Sequence, residues 1–322
     1  MNVSIVSAPC PLGCQDQDEI VFYAHDRLHN LPGEYAVVRC NRCGLMRTNP
    51  RPTPDTIGFY YPDDYGPYQT TKVASATSSA GGEGIRSVAR RLLHKFVEYN
   101  AQRVPNTAPG SMLEFGCASG SFLHVMAGRG WDVQGIEFSP SAAEAASSLG
   151  YRVHTGSIET APNPGRKFDL IVGWMVLEHL HEPIVALGKL REWIEDEGWL
   201  VVSVPDIDAV GFRLFRDTWY PLHVPAHLYH FTPRTLRAVL AAAGWTVEKV
   251  FYQRVLTDYV VSLGYALRDR HRLPRLAEFL VERFPRSGLG SLALYPLAYP
   301  LSRMGQTGRI TVWARRTRKA AE

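Results

Sequence analysis

The chain reads as an α/β protein with a mainly parallel core sheet. Three observations predict this. From about residue 85 short apolar segments alternate with amphipathic ones, which is the pattern of βαβ units rather than of hairpins. In "LEFGCASGSFL", Leu113 to Leu123, a buried-strand pattern runs through a glycine-rich turn into a helix, the place where open α/β sheets hold ligands on backbone N–H groups. Before that region, four of the five cysteines fall into two close pairs, Cys10/Cys14 and Cys40/Cys43, in a stretch poor in helical periodicity.

The 322 residues exceed a usual single domain of about 100–200 residues. The expected division is a metal-binding module over 1–68, a Ser/Thr/Gly/Ala linker over 69–84 and an α/β domain over 85–322 with a helical insertion at about 255–308. Ile85, Val88, Ala89, Leu92, Leu93, Phe96 and Val97 recur at helical spacing. Strands are expected near 111–115, 132–137, 151–154, 168–173, 198–204, 246–252 and 309–315. Ser139-Pro140 and Thr232-Pro233 each read as an N-cap followed by proline at the first helical position. In "LGSLALYPLAYPLSRMG" two prolines are expected to break an apolar helix.

The net charge of +4 is small for this length and points to neither nucleic acid nor membrane. No run of 18 or more apolar residues occurs, and "MNVSIVSAPC" lacks the basic start and apolar stretch of a signal peptide. A cytoplasmic location is expected, where disulfides are rare. Cys10-x3-Cys14 and Cys40-x2-Cys43 then suit two knuckles around one tetrahedral Zn²⁺. Four thiolates fill its coordination shell, so the ion would be structural. His25 and His29 could replace a cysteine, but the four cysteines are the preferred set. A zinc ribbon can also bind nucleic acid, yet acids such as those of "DQDE" and "PDDY" balance the basic residues over 1–68.

The glycine turn reads Glu114-x-Gly116-x-x-x-Gly120. A dinucleotide loop would be G-x-G-x-x-G without a carboxylate in front, and no Gly-Lys-Ser/Thr follows for a Walker loop. The acid suits a ligand carrying an ammonium group. Glu137, at the end of the second strand, can accept hydrogen bonds from both hydroxyls of a ribose. Ser157 and Ile158 end the third strand and Trp174 closes the fourth, so four strand ends face one crevice.

With these residues the segment from about 85 to 255, plus the last strand, resembles a class I S-adenosylmethionine-dependent methyltransferase. The resemblance implies a Rossmann-like seven-stranded sheet with helices on both faces, a small zinc-ribbon-like module before it and the helical insertion before its last strand. It implies Glu114, Gly116, Cys117, Ala118 and Gly120 around the methionine part, Glu137 on the ribose, and Phe138, Ser157 and Ile158 near the adenine, with Trp174 at the edge. Ser157 stands where the family often has Asp. The cysteine-paired segment is similar to N-terminal extensions of bacterial sugar and natural-product methyltransferases.

An oxygen or nitrogen acceptor needs its proton removed, and Glu178, His179, His181, His223, His227 and His230 are candidate bases. His227 and His230, just before the helix at Thr232-Pro233, are favoured over His179; standing three apart, they are expected to point to opposite sides. "GWMVLEH" lacks the loop of DNA amino-methyltransferases, and the single Pro-Cys, Pro9-Cys10, belongs to the metal pairs. "VLEHL" resembles ubiquinone-pathway O-methyltransferases, but Met175 stands where their first acid would be, so a catalytic Mg²⁺ is not expected. The expected function is methyl transfer to a small-molecule or glycan-linked acceptor, with an RNA-directed enzyme and a non-catalytic cofactor-binding protein as alternatives. The insertion is expected to pack over the site, or else to touch a membrane peripherally; oligomeric state is open.

Overall fold

A computed structural model describes residues 3–15, 17–61 and 103–317; the expected linker and the 85–97 helix lie outside them. The N-terminal part carries β1 (Ile5–Val6), β2 (Asp18–His25), β3 (Glu34–Cys40), β4 (Met46–Thr48) and β5 (Arg51–Pro52). The second part runs β6 (Ser111–Phe115), α1 (Ser121–Ala127), β7 (Asp132–Glu137), α2 (Pro140–Ser148), β8 (Arg152–Thr155), β9 (Phe168–Trp174), α3 (Pro183–Trp193) and β10 (Ile194–Pro205). It continues with α4 (Val210–Phe215), β11 (Tyr229–His230), α5 (Pro233–Ala242), β12 (Trp245–Tyr252), α6 (Thr257–Asp269), α7 (Pro274–Glu278), α8 (Gly288–Arg303) and β13 (Arg309–Arg316).

Seven strands form one sheet in the order β12-β13-β10-β9-β6-β7-β8. Strands β8, β7, β6, β9 and β10 pair in parallel, and β13 runs antiparallel to both β10 and β12. This is the Rossmann-like sheet of class I methyltransferases. Successive side chains of a strand point to opposite faces, and the central strands feed two cores accordingly. Met112, Leu170, Val172 and Val201 pack with Phe122, Leu123 and Met126 of α1. Leu113, Phe115, Ile171, Leu200 and Val202 pack with Leu187 and Leu190 of α3 and Leu236 and Val239 of α5. Both faces are therefore covered by helices, and the central strands read as near-continuous apolar runs because neither face meets water.

Ser139 and Thr232 do cap their helices. The Ser139 hydroxyl accepts from Ala142 N at 3.4 Å, and Thr232 and Thr235 bond reciprocally, at 3.1 and 2.9 Å, as a capping box. The prolines of the insertion behave differently from the expectation: Pro296 and Pro300 lie inside the 16-residue α8. Four residues apart, they share one side of the helix, so the lost backbone bonds fall along one stripe.

The N-terminal sheet has the order β11-β4-β3-β2, so one of its strands comes from the second part. Tyr229 pairs with Arg47 and His230 with Met46. Arg27 ties the same two parts together, donating to the Asp217 carbonyl at 2.8 Å and pairing with the Asp217 and Asp269 carboxylates at 2.7 and 2.9 Å.

Candidate active site

Strands β6, β7, β8 and β9 end at one cavity of about 980 Å³. Gly116, at φ +70°, opens the loop after β6; a Cβ there would stand 2.4 Å from Val176 Cγ2, so backbone conformation and space both demand glycine. Gly116, Ala118, Glu137, Phe138, Ser157, Ile158 and Trp174 line the cavity. Cys117 is turned into the core, where burial pushes its thiol well up. Gly120, at φ +83°, precedes α1 and faces Ala146 rather than the cavity.

Glu137 is 4% exposed. Its two oxygens accept from Ala118 N at 2.7 Å and Ser139 N at 2.8 Å, which fixes the carboxylate against the loop. Each oxygen keeps a lone pair for a further donor. Glu114 lies beneath the loop, and its Oε2 has no hydrogen-bond partner among the described residues. Burial, and next the Glu137 charge, hold its carboxyl well above the usual range. Glu137 lines the cavity and Glu114 does not; both are buried, and a cation beside them would favour their charged forms, which the ammonium of an amino-acid ligand can supply.

On the far side of the cavity lies a histidine cluster. His179, His223 and His227 all line the wall, with ring centroids 4.5 Å apart for His179–His227 and 4.9 Å for His223–His227. Burial, and then neighbouring histidines, lower His179 to about 3 and His223 to about 4, and hold His227 well below 6.5. All three are neutral at neutral pH and keep a ring lone pair. Glu178, behind them, is fully buried, and burial pushes its carboxyl up to about 8.

His230 is not on the wall. It sits inside the β11–β4 junction with Nε2 3.2 Å from Thr48 Oγ1, so its neighbours place it as a packing residue. His181 lines the cavity but joins the two parts, its Nε2 donating to the Pro52 carbonyl at 3.0 Å.

Several wall residues carry no local sequence signal of a site. Leu28, His29, Ile57 and Tyr61 come from the N-terminal part, and Arg268, Val281 and Arg286 from the insertion. The Tyr61 hydroxyl lies 2.7 Å from His179 Nδ1. Arg309 reaches the wall from β13, held by Asp258 at 2.7 and 2.5 Å. These side chains are brought together by the β11–β4 pairing and the Arg27 clamp, neither of which shows as periodicity.

Away from the cavity, Cys10, Cys14, Cys40 and Cys43 converge, each offering a sulfur within 4.8 Å of the others. Two matching turns aim them: Gly13 N donates to the Cys10 carbonyl at 3.0 Å and Gly44 N to the Cys40 carbonyl at 2.9 Å. Burial raises the Cys40 thiol, but the N–H groups of Cys43 and Arg42 outweigh it and bring it down to about 7. The set can hold a metal ion; His25 and His29 are not part of it.

Residues 85–250 match the family described as "Methyltransferase domain". The chain belongs to that methyltransferase-domain family. Among curated relatives, the methyltransferase-domain chain is 25% identical over 151 residues to a ubiquinone biosynthesis O-methyltransferase of Azorhizobium caulinodans, covering 43% of this chain and 60% of that protein. It is 29% identical over 173 residues to the enzyme of the same name from Cereibacter sphaeroides, covering 49% and 68%. It is also 25% identical over 242 residues to a malonyl-[acyl-carrier protein] O-methyltransferase of Serratia marcescens, covering 73% and 89%. The chain thus spans about three fifths of the length of the first of these relatives. Among the described residues no helix is long and apolar enough to cross a membrane.

Proposed function

We propose that the protein is an S-adenosylmethionine-dependent methyltransferase that methylates an oxygen of a small-molecule acceptor, sugar-linked acceptors included. One observation carries the reading: a single cavity joins the acid-and-glycine wall at the strand ends to a cluster of neutral histidines. The three curated relatives described above are named as O-methyltransferases, which favours oxygen over nitrogen or carbon.

When bound, the cofactor supplies a methyl group on a sulfonium. The residues of this chain do the rest. Glu114 faces the ammonium, Glu137 accepts from the ribose hydroxyls, and Phe138, Ser157, Ile158 and Trp174 border the adenine side. The displacement is in line, so the protein has to hold two partners in a dry pocket. Tyr61 and the insertion residues Arg268, Val281 and Arg286 exclude water from the acceptor side. His179 or His227 takes the acceptor proton on its ring nitrogen. Zn²⁺ at the four cysteines is a structural part of the same reading, and so is a cytoplasmic location.

Incubation with methyl-labelled cofactor and a panel of phenols, sugars and hydroxy acids, read by mass spectrometry, is expected to give one labelled product class. Labelled product only with amines or carbon acids would shift the acceptor assignment, and none with any acceptor despite cofactor binding would remove the enzyme reading. For the cysteines, elemental analysis is expected to show that Cys40→Ser/Cys43→Ser loses one zinc per chain relative to the native protein; equal zinc in both would refute the site.

A further inference from the structure

At the acceptor half of the cavity, His179 and His227 of the wall and Glu178 buried behind them form a second group of metal-ligating type, distant in sequence from the cysteines. Glu178 is 0% exposed, and neither carboxylate oxygen has a hydrogen-bond partner among the described residues. An unpaired buried carboxylate is destabilising unless something pairs with it. The histidines beside it are oriented from behind: Nδ1 of His179 lies 3.0 Å from the Ala226 carbonyl and Nδ1 of His227 lies 2.8 Å from the Pro221 carbonyl. A carbonyl only accepts, so in His227 the proton is on Nδ1 and the lone pair on Nε2; Nδ1 of His179 also meets the Tyr61 hydroxyl at 2.7 Å, which can donate or accept, so either nitrogen of that ring can carry the lone pair. Imidazoles that ligate metals are held in this way.

The distances agree. His227 Nε2 is 4.0 Å from Glu178 Oε1, and one ligand atom from each of the three residues lies within 4.8 Å of the others. Metal bonds of about 2.0–2.2 Å would set such atoms about 3.4 Å apart. His227 Nε2 and Glu178 Oε1 would have to approach by about 0.6 Å and any other pair by at most about 1.4 Å.

We propose that Glu178, His179 and His227 bind one divalent transition-metal ion whose open side faces the acceptor. Two imidazole nitrogens and one carboxylate oxygen favour Zn²⁺, Co²⁺, Mn²⁺ or Fe²⁺ over Mg²⁺ and Ca²⁺, which prefer oxygen ligands throughout. Three protein ligands leave room for an oxygen from the cavity. The ion would lower the pKa of an acceptor hydroxyl, so the acceptor class is one whose hydroxyl can reach it, best with a second oxygen on the neighbouring carbon. With the ion bound, His179 and His227 are its ligands and the ion replaces them as the means of removing the acceptor proton. The step balances without a redox partner: the hydroxyl gives its proton to solvent, the oxygen–methyl bond forms as the sulfonium–methyl bond breaks, and the sulfonium becomes a thioether. This acceptor role rests on the methyl-transfer reading; binding of the ion does not. Met175 fills the position where a neighbouring acid would signal a metal in the sequence, and His227 arrives from 48 residues beyond His179, which is why spacing does not show the group.

The test is titration with Co²⁺, followed by visible absorption, of protein dialysed against a chelator until one zinc per chain remains, so that the four cysteines stay filled and the three-ligand site is emptied. One equivalent is expected to bind with nitrogen and oxygen d–d bands and without the sulfur charge-transfer band of cysteine ligation. Glu178→Gln and His227→Asn are each expected to lose Co²⁺ affinity by at least about tenfold while binding S-adenosylhomocysteine like the native protein. Glu178→Gln is isosteric and places no charge in the buried site, so it is expected to fold. No Co²⁺ uptake by the native protein, or unchanged uptake in both variants, would overturn the proposal. Failure of S-adenosylhomocysteine to bind the native protein would overturn the methyltransferase reading instead, whatever Co²⁺ does.

Discussion

Glu114 is buried beneath the glycine loop, its carboxyl raised by burial and by Glu137, and one of its oxygens is unpartnered. A ligand ammonium beside it would favour the ionised form, so cofactor binding near neutral pH should release a proton. Calorimetry of S-adenosylhomocysteine binding in buffers of different ionisation enthalpy is expected to show this release in the native protein and not in Glu114→Gln. Heats independent of the buffer would place the ammonium elsewhere. Asp206, at the turn after β10, offers a test of stability. It is 1% exposed, and burial raises its carboxyl from 3.8 to about 7, against the pull of the Asp208 N–H. A raised folded-state pKa gives stability that is complete below about pH 4 and is lost as pH climbs through about 7. Asp206→Asn should therefore melt above the native protein at pH 8, and the difference should vanish near pH 4. A difference independent of pH would contradict the assignment. Gly116 and Glu137, which line the cavity, were legible at this scale, because strand ends and a turn carry local signals; Gly120 shapes the turn but faces Ala146. Arg309 and Tyr61 were not, since nothing near either in sequence marks a site.

At the scale of elements, the strands follow directly from the apolar runs that two covered faces require, and the two Pro-started helices from their caps. Thr232→Ala removes one half of the capping box on α5 and is expected to cost about 1 kcal/mol, measured by denaturant unfolding; no change in midpoint would mean that the Thr232–Thr235 bonds are replaced by water without loss. The two-residue β11 was not legible. "HLYH" is too short for a period, and its pairing with β4 is decided by a tertiary contact. That contact also explains His230: of the two histidines expected to point to opposite sides, His227 lines the cavity and His230 is enclosed by the N-terminal sheet, beside Thr48. Proline alone did not decide α8, because two prolines on one helix side leave its other backbone bonds intact.

For the whole molecule, the N-terminal part and the insertion meet over the cavity. Arg27 is the link, its guanidinium 8% exposed between Asp217 and Asp269. Arg27→Ala should loosen the acceptor wall while leaving the strand-end wall in place, so KM for the acceptor should rise with the dissociation constant of S-adenosylhomocysteine unchanged. A parallel loss of both would show that the clamp holds the fold rather than the acceptor side. The central claim is that the crevice at the ends of β6 to β9 binds an S-adenosyl nucleoside. Calorimetric titration of S-adenosylhomocysteine into the native protein and Glu137→Ala tests it most directly. The account predicts one site per chain and at least about tenfold weaker binding in the variant, a loss of about 1.4 kcal/mol. Absence of binding to the native protein, or equal affinity in the two, would contradict it.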